Sequence, residues 1–463
     1  MYGRTHRIHF IGVGGVGMSG IAEVLLNMGY TVSGSDLRAG ESTERLVRLG
    51  GRVFIGHAPS NVEGAQVVVF STAVPKDNPE LVAARGLGLP VISRAEMLGE
   101  LMRMKYGVAV GGSHGKTTTT SMIAAVLARG GLDPTIVVGG RLHALGSNAR
   151  LGHGQFLVAE ADESDGSFLR LSPAVTVITN VDREHLDHFG SLEELRQAFV
   201  YFANRVPFYG VTVLCGDDPE VRRILPRVGK RHLIYGTRPE VEIRASEVRL
   251  LPQGSRFRVE ASGAELGEIE LRIPGRHNVL NALAAVAVGL EVEVGFGHVA
   301  EALAGFAGVS RRFEIRGECA GVRVVDDYGH HPTEILATLS AARGLSERVL
   351  VIFQPHRYTR TAVLTREFGA AFGDAARVWV LDVYGAGEPP IPGVSGASVV
   401  EMAREQGFEQ VGYAPDASRA AEEAAAEARP GDLVLTLGAG DVWKLGERVL
   451  EHLRRQAVVE ERR

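Results

Sequence analysis

The residues with the clearest chemical meaning form a glycine-rich loop that ends in Gly-Lys-Thr, at 110–118. The apolar run at 106–110 predicts a buried strand before the loop, and the apolar spacing at 119–128 predicts a helix after it. Glycines let backbone N–H groups turn toward an anion, and the helix N-terminus adds partial positive charge. Lys116 would face the β- and γ-phosphates of a nucleotide, and the Thr117 hydroxyl would ligate Mg²⁺. The predicted phosphate cradle comprises Gly111, Gly112, Ser113, His114, Gly115, Lys116, Thr117 and Thr118.

This loop is a variant of the usual pattern. Val110 stands where the first glycine of G-x-x-x-x-G-K-[ST] is expected. An ordinary glycine turn before a helix is the alternative interpretation, but Gly-Lys-Thr between a strand and a helix favours a nucleotide site.

A second glycine-rich segment, at 12–17, follows a predicted strand at 8–11 and precedes a predicted helix. The next predicted strand ends at Ser35-Asp36, which completes the G-x-G-x-x-G fingerprint of a dinucleotide fold. NAD or any other nucleotide diphosphate with a ribose would satisfy this pattern. Asp36 would accept hydrogen bonds from the ribose or a base edge, or it would only cap a turn.

Further candidate contacts for that nucleotide lie at other strand ends and turns of the N-terminal third. Ser71-Thr72 follow a predicted strand at 67–70, at the edge where open α/β sheets bind ligands. His57 lies in a Gly-His-Ala-Pro turn and is either a contact or a surface residue. The candidate set is Gly14, Gly15, Val16, Gly17, Ser35, Asp36, His57, Ser71 and Thr72.

Two acidic clusters, at 160–165 and 180–187, follow predicted strands of the central section. Mg²⁺ prefers hard oxygen ligands near the phosphates, so acids at strand ends beside a phosphate loop predict its site. Glu160 directly follows its strand and is the first candidate. His185 is either a metal ligand or a structural histidine, because a neutral imidazole is a mediocre ligand for Mg²⁺.

The last part of the chain carries further polar groups at predicted helix and strand ends. His277 and Asn278 would meet an adenine in the first turn of a helix, or Asn278 would only cap that helix. After Arg311-Arg312, polar residues end four predicted strands, and a helix is predicted near 362–372. The polar clusters are at 326–332, 354–360, 382–384 and 438–440.

Predicted strands alternate with helices along the chain, which indicates an α/β fold with parallel sheets covered on both faces. The 463 residues are enough for about three domains. We predict that each domain is built on a mostly parallel sheet: a Rossmann-like N-terminal domain at 1–105, a P-loop central domain at 106–309 and a Rossmann-like C-terminal domain at 310–463. Three β-like runs between 242 and 273 predict a small antiparallel addition to the central domain.

The composition, 45% apolar and 23% charged with no bilayer-spanning run, predicts a globular protein outside the membrane. Cys215 and Cys319 lie far apart, which disfavours a disulfide framework or a thiolate metal site.

The N-terminus runs straight into a predicted strand and leaves no room for a signal peptide, so we expect a cytoplasmic protein. The net charge of -5 gives no reason to expect nucleic-acid binding. We also expect no membrane partner, and a monomer or a weak homodimer.

Taken together, the motifs resemble those of the Mur ligase family, in the family's order and over nearly the whole chain. The motifs that carry the resemblance are Ile11 to Met18, Ser33 to Asp36, Ser113 to Thr117, Glu160 to Asp165, Pro274 to Asn278, Asp326 to Pro332 and His356 to Arg360.

The resemblance implies an ATP-dependent ligase of cytoplasmic peptidoglycan precursor synthesis. It is strongest to members that join L-alanine to the carboxylate of UDP-N-acetylmuramate through an acyl phosphate. It implies a UDP-binding N-terminal domain, an ATPase centre and an amino-acid-binding C-terminal domain. The implied ATP contacts are the phosphate cradle with His277, Asn278, Arg312 and Asp326. The implied Mg²⁺ ligands are Thr117, Glu160 and His185, and the implied catalytic residues are Lys116, His185, His356 and Arg360.

Some members of the family hold a second metal with a carbamylated lysine downstream of the metal histidine. This chain has no lysine between Lys116 and Lys230, and the segment after His185 carries Arg196 and Arg205 instead. Arginine stays protonated and does not form that adduct, so we predict that no protein carbamate is present.

Three alternatives remain at this stage. An NAD-dependent oxidoreductase would leave the Gly-Lys-Thr loop unexplained. A non-catalytic nucleotide switch would leave the C-terminal polar clusters unexplained. Within the family, the alternative is a ligase for another amino acid or for a recycled peptide.

Overall fold

The computed structural model describes residues 6–71, 73–142 and 147–460. The chain begins with a five-stranded sheet in the order β3-β2-β1-β4-β5, in which every neighbouring pair is parallel. Its strands are β1 (Arg7–Ile11), β2 (Thr31–Asp36), β3 (Arg52–Ile55), β4 (Val67–Phe70) and β5 (Val91–Ser93). Its helices are α1 (Val16–Asn27), α2 (Glu41–Arg48), α3 (Pro79–Gly86) and α4 (Arg94–Arg103), with a short 3-10 turn at Pro59–Val62.

The second sheet has ten strands in the order β15-β14-β13-β12-β11-β10-β6-β9-β7-β8. Its strands are β6 (Tyr106–Gly111), β7 (Thr135–Leu142), β8 (Ser147–Arg150), β9 (Phe156–Glu160), β10 (Val175–Ile178), β11 (Val211–Cys215), β12 (His232–Gly236), β13 (Ile243–Leu251), β14 (Gly254–Ala261) and β15 (Ala264–Leu271). The accompanying helices are α5 (Lys116–Arg129), α6 (Leu186–Phe189), α7 (Leu192–Ala203), α8 (Pro219–Ile224), α9 (Arg276–Glu291) and α10 (Phe296–Ala304), with 3-10 turns at Ser167–Arg170 and Leu225–Arg227. Two-residue loops join β13 to β14 and β14 to β15, and connections this short join antiparallel strands.

The third sheet has six strands in the order β16-β17-β21-β18-β19-β20, and only β16 is antiparallel to its neighbour. Its strands are β16 (Glu314–Cys319), β17 (Val322–Asp327), β18 (Val349–Phe353), β19 (Arg377–Val380), β20 (Val411–Tyr413) and β21 (Leu433–Leu437). Its helices are α11 (Pro332–Arg343), α12 (Tyr358–Val363), α13 (Thr365–Ala370), α14 (Gly396–Glu405), α15 (Ala417–Glu427) and α16 (Trp443–Glu460).

The predicted α/β class, with three mostly parallel sheets, is confirmed. Continuous apolar runs form the central strands because helices cover both faces of each sheet. All residues of β11, β18 and β21 are buried, for example. Contacts between Cα atoms divide the chain into two compact units. The first comprises residues up to Ser246 with Arg258–Ile269 and Leu280–Phe306, and the second comprises Glu247–Phe257, Glu270–Val279 and the chain from Ala307 onward.

The helix predicted at 362–372 is wrong in its start and its continuity. Helix α12 begins at Tyr358, and a break at Leu364 separates it from α13. The early start is stabilised by a contact that apolar spacing in the sequence cannot indicate. The carboxylate of Glu388 accepts hydrogen bonds from the N–H of Thr359 at 3.0 Å and from the Thr359 hydroxyl at 2.8 Å. Seven strands were also not predicted: β3, β5, β8, β11, β12, β16 and β20.

Candidate functional site

The glycine-rich loop between β6 and α5 has the conformation that its glycines permit. Gly112 has φ of 131°, and a Cβ there would lie 2.1 Å from Oγ1 of Thr179. Gly115 has φ of 78°, and a Cβ there would lie 2.7 Å from Oδ1 of Asn281. Both positions therefore require glycine, for conformation and for space.

The end of strand β10 holds this loop in place. The N–H of Ser113 donates to the carbonyl oxygen of Asn180 at 3.1 Å, and the N–H of His114 donates to Oδ1 of the same residue at 2.8 Å. The hydroxyl of Thr179 donates to the carbonyl oxygen of His114 at 2.7 Å, and the N–H of Asp182 donates to Oγ of Ser113 at 2.8 Å. The loop therefore has a defined shape that does not depend on a ligand.

Lys116 is the first residue of α5, and its ammonium group turns back over the loop. Nζ donates to the carbonyl oxygens of Gly112 at 2.7 Å and Ser113 at 3.0 Å, and it forms an ion pair with Glu163 at 2.8 Å. Burial lowers the pKa of Lys116, but the charges of Glu163 and Glu160 outweigh burial and raise this pKa above its ordinary value. The charged ammonium therefore lies over the predicted phosphate cradle.

The predicted metal ligands Thr117 and Glu160 are in contact. The Thr117 hydroxyl donates to both carboxylate oxygens of Glu160, at 3.0 Å and 3.1 Å. Thr118, the last residue of the predicted cradle, is buried in the first turn of α5. Hydroxyl and carboxylate oxygens are the hard donors that Mg²⁺ prefers.

The third predicted metal ligand, His185, lies in a cluster with two buried acids. Each of Glu163, Glu184 and His185 offers one ligand atom, and these atoms lie within 4.8 Å of one another. His185 has φ of 57°, a left-handed backbone conformation that is sparsely populated by non-glycine residues. Its Nε2 atom lies 3.6 Å from Oε1 of Glu163 and 3.9 Å from Oε1 of Glu184.

Glu163 carries the strongest indication that this cluster suits a cation. Its Oε2 atom is buried and has no hydrogen-bond partner among the described residues. Burial raises the pKa of Glu163 to about 7 with help from Asp162 and Glu184, although the charge of Lys116 opposes that rise. A buried carboxylate oxygen without a partner is costly, and a divalent cation would satisfy it. The residues present therefore fit Mg²⁺.

The N-terminal glycine loop joins β1 to α1. The N–H of Gly14 donates to Oδ2 of Asp36 at 2.8 Å, and a Cβ on Gly14 would lie 2.8 Å from the same oxygen. Helix α1 begins at Val16 with Gly15 as its N-cap, without a side-chain cap and without an acid in its first turn. This turn, which includes Gly17, therefore presents backbone N–H groups to an anion. It has no acidic side chain of its own that would repel the anion.

Ser35 and His57 belong to a polar network centred on the buried Glu80. The Ser35 hydroxyl donates to Oε2 of Glu80 at 2.5 Å and lies 3.0 Å from Nδ1 of His57. Burial raises the pKa of Glu80, but hydrogen bonds from His9, Ser35 and Asn61 outweigh burial and lower this pKa to about 2. Ser35 is fully buried. That Ser35 and His57 bind the UDP substrate stays a prediction, and the His57 side chain beside Ser35 is 15% exposed.

The last two N-terminal candidates follow β4. Ser71 is partly exposed, and its hydroxyl oxygen accepts a hydrogen bond from the N–H of Ala73 at 3.3 Å. Thr72 lies outside the described residues.

In the second unit, His277 and Asn278 lie in the first turn of α9. The Asn278 amide donates to the carbonyl oxygen of Pro274 at 2.7 Å, which stabilises the entry into the helix. Gly275 has φ of 99°, and a Cβ there would lie 2.5 Å from Cε1 of His277. Partial burial and the charge of Arg312 lower the pKa of His277 to about 4, so its imidazole is neutral at pH 7.

Two arginines with different surroundings lie against Tyr328 in the same unit. Arg312 lies 4.9 Å from the centroid of the Tyr328 ring and forms an ion pair with Glu334 at 3.3 Å. Arg311 donates to Asp326 at 3.0 Å and to the carbonyl oxygen of Gly438 at 2.6 Å.

Asp326 is fully buried, and Thr436 also donates to it at 2.7 Å. Burial raises the pKa of Asp326, and the charge of Arg311 opposes that rise. Its carboxylate is enclosed by protein in this structure, and its assignment to the ATP site stays a prediction. Its partner Arg311, which the sequence motifs did not single out as a site residue, joins β17 to the loop after β21.

The predicted catalytic residues His356 and Arg360 are in contact at the carboxyl end of β18. Nη1 of Arg360 lies 3.1 Å from Nδ1 of His356. The His356 ring stacks on Tyr384, with centroids 5.7 Å apart and planes inclined by 9°, and it packs against His330 at 5.5 Å. The structure therefore brings together the polar clusters predicted to end β17, β18 and β19.

Several further residues with a role in this structure were not selected from the sequence. Glu163 and Glu184 lie in the acidic clusters that the sequence indicated, but neither stood out from its neighbours there. Asn180 lies in the second cluster and was not selected, because its use as a loop anchor depends on two sheet strands that are distant in sequence. Glu80 gave no signal beyond an N-terminal position in a helix.

Comparison with known proteins matches the chain to three successive domain families. These are the Mur ligase family catalytic domain at residues 7–106, the Mur ligase middle domain at 110–289, and the Mur ligase glutamate ligase domain at 311–440. Within the described residues, none of the helices is both apolar enough and long enough to cross a bilayer.

Several relatives match over nearly their whole length. The UDP-N-acetylmuramate–L-alanine ligase of a Geobacter species is 56% identical, over 98% of this chain and 99% of that protein. The enzyme of the same name from Syntrophotalea carbinolica is 54% identical, over 98% and 100%. Among solved structures, a UDP-N-acetylmuramate–alanine ligase from Thermotoga maritima matches with a TM-score of 0.79 and 30% identity, over 98% of this chain and 99% of that one. A MurF ligase from the same organism, solved with ADP, shares the fold with a TM-score of 0.65 at 18% identity, over 92% and 96%.

Proposed function

Because the chain belongs to the Mur ligase family, we propose that it is the ATP-dependent ligase that joins L-alanine to the carboxylate of UDP-N-acetylmuramate. The reaction belongs to peptidoglycan precursor synthesis, and we place it in the cytoplasm. The observation that supports an ATP-driven ligase most strongly is the charged Lys116 above a preformed phosphate loop, paired with the buried Glu163.

Joining a carboxylate to an amine is unfavourable in water, so the carboxylate must first be activated. The γ-phosphoryl group of ATP is transferred to the lactyl carboxylate, which gives an acyl phosphate and ADP. The amine of L-alanine then attacks the acyl carbon, and phosphate leaves with the bonding electrons of the C–O bond. Phosphoryl transfer depends mainly on positioning and charge stabilisation. Lys116 is placed to neutralise charge on the transferred group.

Mg²⁺ is the metal whose preferences the acidic side chains fit. When bound, it neutralises negative charge on the phosphate oxygens and orients them. We propose that Thr117 and Glu160 supply one set of donors and that His185 supplies another, with Glu163 and Glu184 beside it. In this assignment Glu163 also orients Lys116 through their 2.8 Å contact.

The remaining site assignments are also proposals. The first turn of α1, with Gly14, Gly15, Val16 and Gly17, binds the UDP diphosphate, and Asp36 shapes this loop by holding the N–H of Gly14. His277, Asn278 and Arg312 bind ATP, and His356 and Arg360 act on the reacting groups. We keep the domain boundaries at 1–105, 106–309 and 310–463, and we expect a monomer or a weak homodimer that binds neither nucleic acid nor membranes.

Phosphate release in the presence of ATP and Mg²⁺ tests the proposal. It should require UDP-N-acetylmuramate and an amino acid together, with L-alanine preferred over glycine and L-serine. A requirement for a peptide in place of L-alanine would favour the recycling ligase of the same family. Binding of NADH, or phosphate release without the UDP-sugar, would contradict the proposed function.

A further inference from the structure

The loop that follows β19, residues 381–388, contacts the chain around His356. The His356 ring stacks on the Tyr384 ring, and the two residues form an isolated parallel bridge. The N–H of Tyr384 donates to the carbonyl oxygen of Pro355 at 2.8 Å, and the N–H of Arg357 donates to the carbonyl oxygen of Tyr384 at 2.8 Å. The loop therefore fixes the backbone on both sides of His356.

The same loop caps helix α12. The first N–H groups of a helix have no partner within it, and among the described residues Arg357, at the N-cap position, gives the helix no side-chain hydrogen bond. Glu388 supplies the cap from the loop instead. Its carboxylate accepts from the N–H of Thr359 at 3.0 Å and from the Thr359 hydroxyl at 2.8 Å. The start of α12 is therefore held by a residue outside the helix.

Helix α12 carries Arg360, one residue after Thr359. Nη1 of Arg360 lies 3.1 Å from Nδ1 of His356 and 3.3 Å from the His356 carbonyl oxygen. The first turn of this helix also packs against the loop, because a Cβ on Gly385 would lie 3.1 Å from Cε2 of Tyr358. The place of the Arg360 guanidinium group therefore depends on where this first turn is held.

We propose that Glu388 is a positioning residue for the ligase reaction, because its carboxylate holds the first turn of α12 and thereby holds Arg360 beside His356. The inference rests on the proposed function, in which the side chains of Arg360 and His356 act on the reacting groups. A helix of six residues is too short to be stable by itself, so its start needs an outside contact. A misplacement of about 1 Å in a site can cost about 100-fold in rate.

Phosphate release with ATP, UDP-N-acetylmuramate and L-alanine tests this role. Glu388→Ala should lower kcat by about 10- to 100-fold, because Arg360 loses its fixed place. The Kd of UDP-N-acetylmuramate and the Kd of ADP, measured by calorimetry, should stay at the wild-type values. Glu388→Gln should lose less turnover, since its amide oxygen can still accept from the N–H of Thr359.

Asp416→Ala is the matched control. Asp416 caps helix α15 beside the same sheet, and its carboxylate accepts from the N–H of Ser418 at 2.9 Å and from the N–H of Arg419 at 3.1 Å. Each alanine variant removes one carboxylate cap, so Asp416→Ala and Glu388→Ala should lower Tm by similar amounts. Turnover should fall in Glu388→Ala alone. Equal losses of kcat in the two variants would overturn the inference, and so would a wild-type kcat in Glu388→Ala.

A double variant shows whether Glu388 acts through Arg360. Arg360→Gln/Glu388→Ala should turn over no more slowly than Arg360→Gln, because positioning has no effect once the guanidinium group is absent. If the loss in the double variant is the product of the two separate losses, Glu388 acts independently of Arg360 and the positioning role is refuted. Phosphate release by the wild type without the UDP-sugar would instead contradict the proposed function.

Discussion

Replacing Lys116 with alanine removes the ammonium group that lies over the phosphate loop. In the structure this group bonds to two loop carbonyl oxygens and to Glu163. Loss of one preorganised charge aimed at a developing anion typically costs about 3–4 kcal/mol in the transition state, which is about a 10²- to 10³-fold lower kcat. We expect at least that loss in phosphate release.

The same change leaves Glu163 buried, with 1% of its side chain exposed, and without its cation. Leaving a buried charge unpaired costs about 3–5 kcal/mol of unfolding free energy. The pKa of Glu163 is already raised to about 7. Protonation therefore limits the loss to about 1–3 kcal/mol, the cost of an unsatisfied buried polar group. The double variant Lys116→Ala/Glu163→Gln should recover part of this stability and none of the activity.

Lys105→Ala is the matched control for this experiment. Nζ of Lys105 also donates to two loop carbonyl oxygens, those of Gly152 at 2.9 Å and Gly154 at 2.6 Å, but it lies at the other end of β6. This variant should lose stability and keep its turnover. Thermal unfolding and phosphate release, measured on all four proteins, give both quantities. Near-normal turnover in Lys116→Ala would refute the role assigned to this lysine.

Three further predictions follow from the site. Asp36→Ala should raise the Kd of UDP-N-acetylmuramate by about tenfold, because the N–H of Gly14 loses its acceptor. Calorimetry should show no change in the Kd of an ATP analogue, and equal losses of affinity for both ligands would contradict the assignment. The pKa of His277 is lowered from 6.5 to about 4, so the unfolded chain takes up a proton that the native state does not. Unfolding free energy should therefore fall by about 1 kcal/mol per unit as the pH drops from 6.5 toward 4, and urea unfolding of His277→Gln should lack this part of the slope. Activity should not change when bicarbonate is stripped from the buffer and restored, because no lysine lies between Lys116 and Lys230; a bicarbonate-dependent rate would show that a carbamate is needed.

The strands before the two glycine-rich loops, and the phosphate loop itself, could be predicted because their signals are local. The strand at 106–111, the glycines and the helix from Lys116 follow one another in the chain, and each has its own propensity. The start of α12 at Tyr358 could not be predicted, because Glu388 holds Thr359 there. That residue reaches Thr359 only after the chain has folded.

The site residues were likewise predictable where the signal is local in sequence, and unpredictable where it depends on distant residues. Thr117 comes after β6 and Glu160 ends β9, and these neighbouring parallel strands bring the two residues together. The parallel pairing of such strands could be predicted from the sequence. Which of the acids after β9 contacts Lys116 could not be predicted, because it depends on how their side chains are oriented in the folded chain. The surroundings of Ser35 could not be predicted for a related reason. The position at the end of β2 suggests a ligand contact, but Glu80, from a helix 45 residues later, binds its hydroxyl.

The anchored phosphate loop has a consequence for the kinetics of nucleotide association. Thr179, Asn180 and Asp182 already hold the backbone between Gly112 and Gly115 in its curve, so an arriving phosphate need not order the loop. The necessary motion is a rotation of one side chain, which releases the Lys116 ammonium from two carbonyl oxygens. The observed rate of ATP association should therefore rise linearly with ATP concentration, without the plateau that a slow opening step imposes.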